Sequence, residues 1–251
     1  MTSPWSERVL QCFSAKAADY SRSVTLQHAI AFRLAEHIHR VRVLDGPWID
    51  LGSGSGLLAD AISLHHPGRS VLRVDGSVAM LQQHSGRVET LHHDLALGLP
   101  ELASPPALLA SSFCLHWLVS PAQHLQAWCQ ALAPDGILAL AVPIAGSFPQ
   151  WHDAADAAEV PCTALSFPNG DALRQAVSAH QVLIDQRLRF TQCSEAPSEL
   201  LRSFANIGAD ATQHHPLGGG AMRRLLRAWP RDNVTGQANL TWVVQLLLVR
   251  R

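Results

Sequence analysis

The segment Trp48-Ile49-Asp50-Leu51-Gly52-Ser53-Gly54-Ser55-Gly56, followed by LLADAISLHH, constrains this chain more than any other feature. A short apolar run passes into glycines at alternate positions and then into a helical pattern. That is the strand, tight turn and helix which open a nucleotide-binding unit. Glycine lets the backbone turn sharply there and come close to a bound ligand, where a side chain would collide. The spacing is GxGxG, with Asp50 two residues before the first glycine. A dinucleotide site has GxGxxG instead, placing helix-end amides around a pyrophosphate.

The same rhythm continues downstream. SVLRVD reads as a second strand with a helix over Ser77–Gln83, VETLHHD as a third strand, and PPALLASSFCLHW as a fourth running into a loop at its carboxyl end. A helix from Pro121 to Leu132 starts on a proline suited to a first turn. Pro134-Asp135-Gly136 marks a turn, and ILALAVP a buried fifth strand. Before the first strand, Leu26, Ile30, Leu34 and Ile38 recur at steps of four and predict an amphipathic helix over Val24–Arg40. Strands separated by helices imply parallel pairing.

Residues 145–180 break the rhythm with aromatic residues and prolines, and read as an insertion over the site with a helix near Gly170–Ala179. Then follow a strand (QVLIDQRLRFTQC), a helix (SELLRSFANIGA), a second helix (AMRRLLRAW) after a flexible Gly218-Gly219-Gly220, and a closing strand (ANLTWVVQLLLVRR). A single domain is expected, with residues 1–45 a helical lid, 46–143 a cofactor-binding half, and 144–251 the insertion and last strands.

Composition fits this picture. The 251 residues lie within the roughly 250 that one core can support. A 47% hydrophobic content can cover both faces of a sheet. A net charge of -1 gives no field to draw the chain onto nucleic acid or membrane, so neither is an expected partner. No apolar run reaches the ~18 residues of a membrane span, and the start MTSPWSER lacks the regions of a signal peptide, so a cytoplasmic location is expected. The five cysteines show no CxxC spacing and read as reduced thiols. Histidine doublets such as His92-His93 point in different directions, so no metal site is expected.

Two carboxylates fall at strand ends. Asp75 closes the second strand about twenty residues past the glycines, where it can accept both hydroxyls of a ribose. Asp94 follows the third strand and can meet an adenine amino group, although turn formation and capping explain many aspartates at such boundaries. S-adenosylmethionine has no phosphate, and its ammonium group suits an acidic residue beside the glycine turn.

The successive segments DLGSGSG, RVDGSVAML, HHDLALGLP and SSFCLHWLVSPAQHLQAWCQALAPDGILALAVP resemble the cofactor motifs of class I S-adenosylmethionine-dependent methyltransferases. FSAKAADYSRSVTLQ, AGSFPQWHDA, LRSFANIGADA, AWP and NLTWVVQ extend a similarity to the malonyl-acyl-carrier-protein O-methyltransferases of biotin synthesis. The resemblance implies an α/β fold with a Rossmann-like, open, seven-stranded, mostly parallel sheet covered by helices on both faces, and an insertion after the fifth strand. It implies S-adenosyl-L-methionine held by Asp50, Gly52, Ser53, Gly54, Gly56, Asp75, Gly76, Met80, Asp94, Leu95 and Ser112.

It further implies methyl transfer to the free carboxylate of malonyl-acyl-carrier protein by a monomeric enzyme. Tyr20, in the lid, is expected to close over the cofactor, although Phe13 and Tyr20 also fit one packed helical face. Arg202 offers a bidentate clamp for the acceptor carboxylate, against the alternative of a solvated helix arginine. Trp117, Phe148 and Trp151 are expected along the acceptor tunnel, where core packing would explain them equally. Arg223, Arg224, Arg227 and Arg231 form the densest positive cluster and a docking patch for an acidic carrier. The other readings are a different acceptor, such as a small carboxylic acid or a quinone precursor, and a non-catalytic binding protein of this fold. An NAD-dependent oxidoreductase is disfavoured by the GxGxG spacing and by the absence of a lysine four residues after Tyr20.

Overall fold

The computed structural model describes residues 3–206, 211 and 214–251. Two helices lead the chain, α1 (Pro4–Ser23) and α2 (Thr25–His39). The Ser3 side chain accepts from the Ser6 N–H, and Pro4 takes the first turn, where a missing N–H is harmless. The stripe of Leu26, Ile30, Leu34 and Ile38 is buried, as its spacing predicts.

Seven strands follow: β1 (Trp48–Leu51), β2 (Leu72–Asp75), β3 (Thr90–His92), β4 (Leu108–Ser112), β5 (Ile137–Pro143), β6 (Gln181–Ser194) and β7 (Ala238–Arg250). They form one open sheet in the order β3-β2-β1-β4-β5-β7-β6. The first five pair in parallel, while β7 runs antiparallel between β5 and β6. Because β1 has β2 on one side and β4 on the other, the winding direction reverses there. A crevice opens at the carboxyl ends of these strands, the usual ligand position in open α/β sheets.

Alternate residues of the central strands feed two cores. Leu108, Ile137, Ala139 and Ala141 pack with α2 and with α3 (Leu57–His65), while Leu109, Leu138, Leu140 and Val142 pack with α5 (Pro121–Ala131). Both faces are thereby covered, which explains why β5 is apolar throughout.

The other helices are α4 (Val78–Leu81), α6 (Pro149–Ala157), α7 (Gly170–Ala176), α8 (Pro197–Asn206) and α9 (Gly219–Ala228). Four details differ from the expectations. The helix after β2 is a single turn. The link from β3 to β4 holds only a 3-10 turn at Leu95–Leu97, since Gly98, Pro100, Pro105 and Pro106 prevent a longer helix. The insertion contains α6, which Pro149 starts. Gly219 and Gly220 lie in the first turn of α9 instead of a free loop. The expected helix over Ser198–Ala209 is seen to Asn206, and its remainder lies outside the described residues. Among the described residues no helix is long and apolar enough to cross a membrane.

Candidate functional site

The glycine turn hangs from β2. Gly52 and Ser53 donate their N–H groups to the Val74 carbonyl at 2.8 and 3.0 Å. Gly52 has a φ of +69°, and a Cβ there would lie 2.2 Å from Cys114 Sγ, so both the turn and its neighbour require glycine. Asp50 Oδ2 accepts from the Ala59 N–H at 3.1 Å, joining the end of β1 to the start of α3. The Asp75 carboxylate braces the turn from the side, with Oδ2 accepting from Gly54 N–H and Oδ1 from Ser77 N–H, each at 2.8 Å. Asp94 accepts from Ser6 Oγ at 3.0 Å and from Ala96 N–H at 2.9 Å. It thus caps the 3-10 turn and holds α1 at the same time.

Apart from Gly56, every residue expected at the cofactor lines one cavity at the carboxyl ends of β1, β2 and β4. Gly56 sits behind the turn, where a Cβ would meet the Arg73 guanidinium at 2.4 Å. Arg73 pairs there with Asp60, and His84 Nε2 bonds the Gly54 carbonyl at 2.8 Å. Asp50 Oδ1, Ser53 Oγ and Ser112 Oγ are buried polar atoms without a partner among the described residues. Buried groups of this kind want a ligand that carries cationic and hydroxyl donors. An aminoacyl nucleoside such as S-adenosylmethionine meets that demand: the three orphaned atoms suit its polar groups, and Asp75 suits a ribose.

Burial pushes the Asp50 carboxyl up to about 7, with the Ala59 N–H and Arg73 acting in the opposite direction. Burial thus favours the protonated carboxyl, and a cationic ligand group must displace that proton. Affinity for S-adenosylhomocysteine is therefore expected to fall about tenfold per unit as pH drops below about 7, and to level off above it. Calorimetry across that range checks this, and Asp50→Asn should flatten the profile. A wild-type profile that is already flat would remove Asp50 from the ammonium site.

Helix α1 roofs the cavity with Ser6, Val9, Leu10 and Phe13. Besides Ser6 to Asp94, Ser14 Oγ lies 2.7 Å from Ser77 Oγ and Trp5 Nε1 donates to the Trp117 carbonyl at 2.9 Å. Tyr20 Cε1 lies 4.0 Å from where a Gly54 Cβ would sit, so its ring stands over the glycine turn. Desolvation, then the charges of Asp75 and Cys114, raise the Tyr20 hydroxyl well above its ordinary value. It stays a neutral donor.

A second chamber of about 430 Å³ adjoins the first. The two share Phe13, Tyr20, Gln27, Phe113 and Trp117. Trp117, Phe148 and Trp151 line this second chamber, together with Phe167, Phe204 and Trp242. Phe113 and Phe148 adopt φ values of 54° and 62°, which bulky side chains rarely take and which cluster at functional sites.

Arg202 does not line the chamber. On α8 the residues Leu201 and Phe204 turn inward, and Arg202 is rotated about 100° from Leu201 into solvent. Among the described residues, the arginine that does line the chamber is Arg8, on α1. His116 lines it too, but burial pushes this imidazole down to about 3, so it is neutral. Arg223, Arg224 and Arg227 lie exposed on α9, which reaches the chamber through Met222. Arg224 also donates to the Ala158 carbonyl, and Arg231 is engaged away from α9 by the Glu195 and Gly236 carbonyls. Gln27 and Phe113 stood inside recognisable segments without a signal of their own; Arg8 had none at all.

The methyltransferase domain family matches residues 24–182. The chain belongs to this family. Its match begins at α2 and runs through the glycine turn to the start of β6, so it contains the strand ends that build the first chamber. The chain is 27% identical over 215 residues to the malonyl-[acyl-carrier protein] O-methyltransferase of Xylella fastidiosa, covering 80% of this chain and 71% of that one. It is 33% identical over 98 residues to the trans-aconitate 2-methyltransferase of Paracidovorax citrulli, 38% of each chain. Among solved structures, YcgJ of Bacillus subtilis aligns with a TM-score of 0.60 at 12% identity, over 89% of this chain and 98% of that one, which speaks to the fold. This methyltransferase takes its methyl group from S-adenosylmethionine.

Proposed function

We propose that this methyltransferase esterifies the free carboxylate of a malonyl thioester carried on acyl carrier protein, as a step towards biotin. The observation that carries the reading is the pair of adjoining chambers, one bearing the carboxylates of Asp50 and Asp75 and fitted to an aminoacyl nucleoside, the other aromatic and lined, among the described residues, by one arginine, Arg8. Relatives named for malonyl-acyl carrier protein and for trans-aconitate both act on carboxylic acids, which supports an oxyanion acceptor.

Bound in the first chamber, S-adenosylmethionine supplies a methyl group already activated on a sulfonium. A malonyl carboxylate is ionised at neutral pH, so no base is required. An oxygen–carbon bond forms as the carbon–sulfur bond breaks, giving a methyl ester and S-adenosylhomocysteine with no proton moved. The protein's work is alignment and exclusion of water. Phe13, Phe113 and Trp117 wall the junction, while Tyr20 offers a neutral hydroxyl there. Arg8 supplies charge to an anion entering the chamber. Arg202, on the outside of α8, joins Arg223 and Arg227 as surface cations for an acidic carrier.

Mass spectrometry should show one methyl group gained on malonyl-acyl carrier protein, less on malonyl-coenzyme A, and none on the acetyl thioesters. Arg223→Ala with Arg227→Ala should reduce turnover of the carrier-bound substrate alone, with a loss that shrinks at high salt. Faster methylation of free trans-aconitate or malonate than of the carrier-bound thioester would replace this reading by a small-acid methyltransferase.

A further inference from the structure

We infer that Gln27 orients the accepting carboxylate at the point of methyl transfer. The transferred carbon must pass between the two chambers, so groups that handle the attacking oxygen are found among the residues lining both. Of these five, Phe13 and Phe113 offer no hydrogen bond, Trp117 carries an indole N–H, and Tyr20 a hydroxyl. Gln27 is the fifth, and the only one with two N–H donors on one group. It lies on α2 directly after Leu26, at the edge of that helix's buried stripe, and is 8% exposed. No hydrogen bond to its side chain is present among the described residues. Its carboxamide is thus uncommitted to the protein and faces both cavities, where a ligand can take up its N–H groups.

Among the described residues the junction holds no cation. Arg8 lines only the second chamber, and Arg202 lies outside both. That absence suits the chemistry. A guanidinium bonded to both carboxylate oxygens would draw charge from the nucleophile, whereas an amide N–H fixes one oxygen and leaves the other free to attack. Gln27 and Tyr20 both line the two chambers, and neither carries charge.

The inference rests on a carboxylate acceptor, and the experiment separates the two. Wild-type protein, Gln27→Met and Gln27→Glu are assayed with malonyl-coenzyme A between about pH 6 and 8, and each is titrated with S-adenosylhomocysteine. Gln27→Met should lose about 10- to 100-fold in kcat/KM, the worth of one charge-assisted hydrogen bond, with cofactor affinity held within about twofold. Gln27→Glu should be nearly inactive at about pH 8 and regain activity towards pH 6, as its carboxyl takes up a proton and becomes a donor. Gln27→Met has no group to titrate and should show no such recovery. Gln27→Met within about twofold of wild type, or matching pH profiles for the two variants, would overturn the role of Gln27 while leaving the acceptor reading intact. Wild-type protein that methylates neither malonyl-coenzyme A nor free malonate or trans-aconitate would overturn both.

Discussion

Asp75→Ala should weaken S-adenosylhomocysteine binding by about 3 kcal/mol, roughly 150-fold, as read by calorimetry. Two losses combine. The ribose loses a charged acceptor, and the Gly54 and Ser77 N–H groups lose the carboxylate that now fixes the glycine turn at 2.8 Å each. Asp75→Asn keeps one amide oxygen that can still accept while its NH2 faces a donor, so its loss should be intermediate. Affinity unchanged in Asp75→Ala would exclude Asp75 from the cofactor site.

Gly52→Ala should cost the fold about 3 kcal/mol and lower Tm by about 6–12 °C in a chain of this size. The new methyl group would overlap Cys114, at 2.2 Å from Sγ and 2.4 Å from Cβ, in a backbone held at φ +69°. The steric part can be isolated. Combining Gly52→Ala with Cys114→Gly removes the overlap and keeps the strained backbone, so only part of the stability should return. Full recovery would show that φ contributes nothing, and no loss in the single variant would mean that the turn relaxes away from Cys114.

The sheet was legible because its code is local. The apolar runs at β1, β4 and β5, the glycine turn and the Pro121 helix start each declare themselves within ten residues or so. The antiparallel place of β7 between β5 and β6 was not, since strand order depends on contacts far apart in sequence. In the site, Asp50 and Asp75 could be found from their offsets to the glycines. Arg202 illustrates the opposite case. Its helix was recognisable, but a single residue decides whether a side chain points inward or outward, and only Leu201 and Phe204 show the inward face. Gln27 and Arg8 belong to helices that pack on the crevice from outside the strand-end pattern, so no spacing rule reaches them.

The roof built by α1 has a kinetic meaning. Ser6 grips the same Asp94 carboxylate that flanks the cofactor cavity, and Phe13 and Tyr20 complete the wall between the chambers. The acceptor chamber is therefore complete only with α1 in this position. The expected consequence is an ordered sequence, with the nucleoside first in and last out and the acceptor in between. S-adenosylhomocysteine should then inhibit competitively against the methyl donor but not against the acceptor, and removing the Ser6, Ser14 and Trp5 contacts should speed its release.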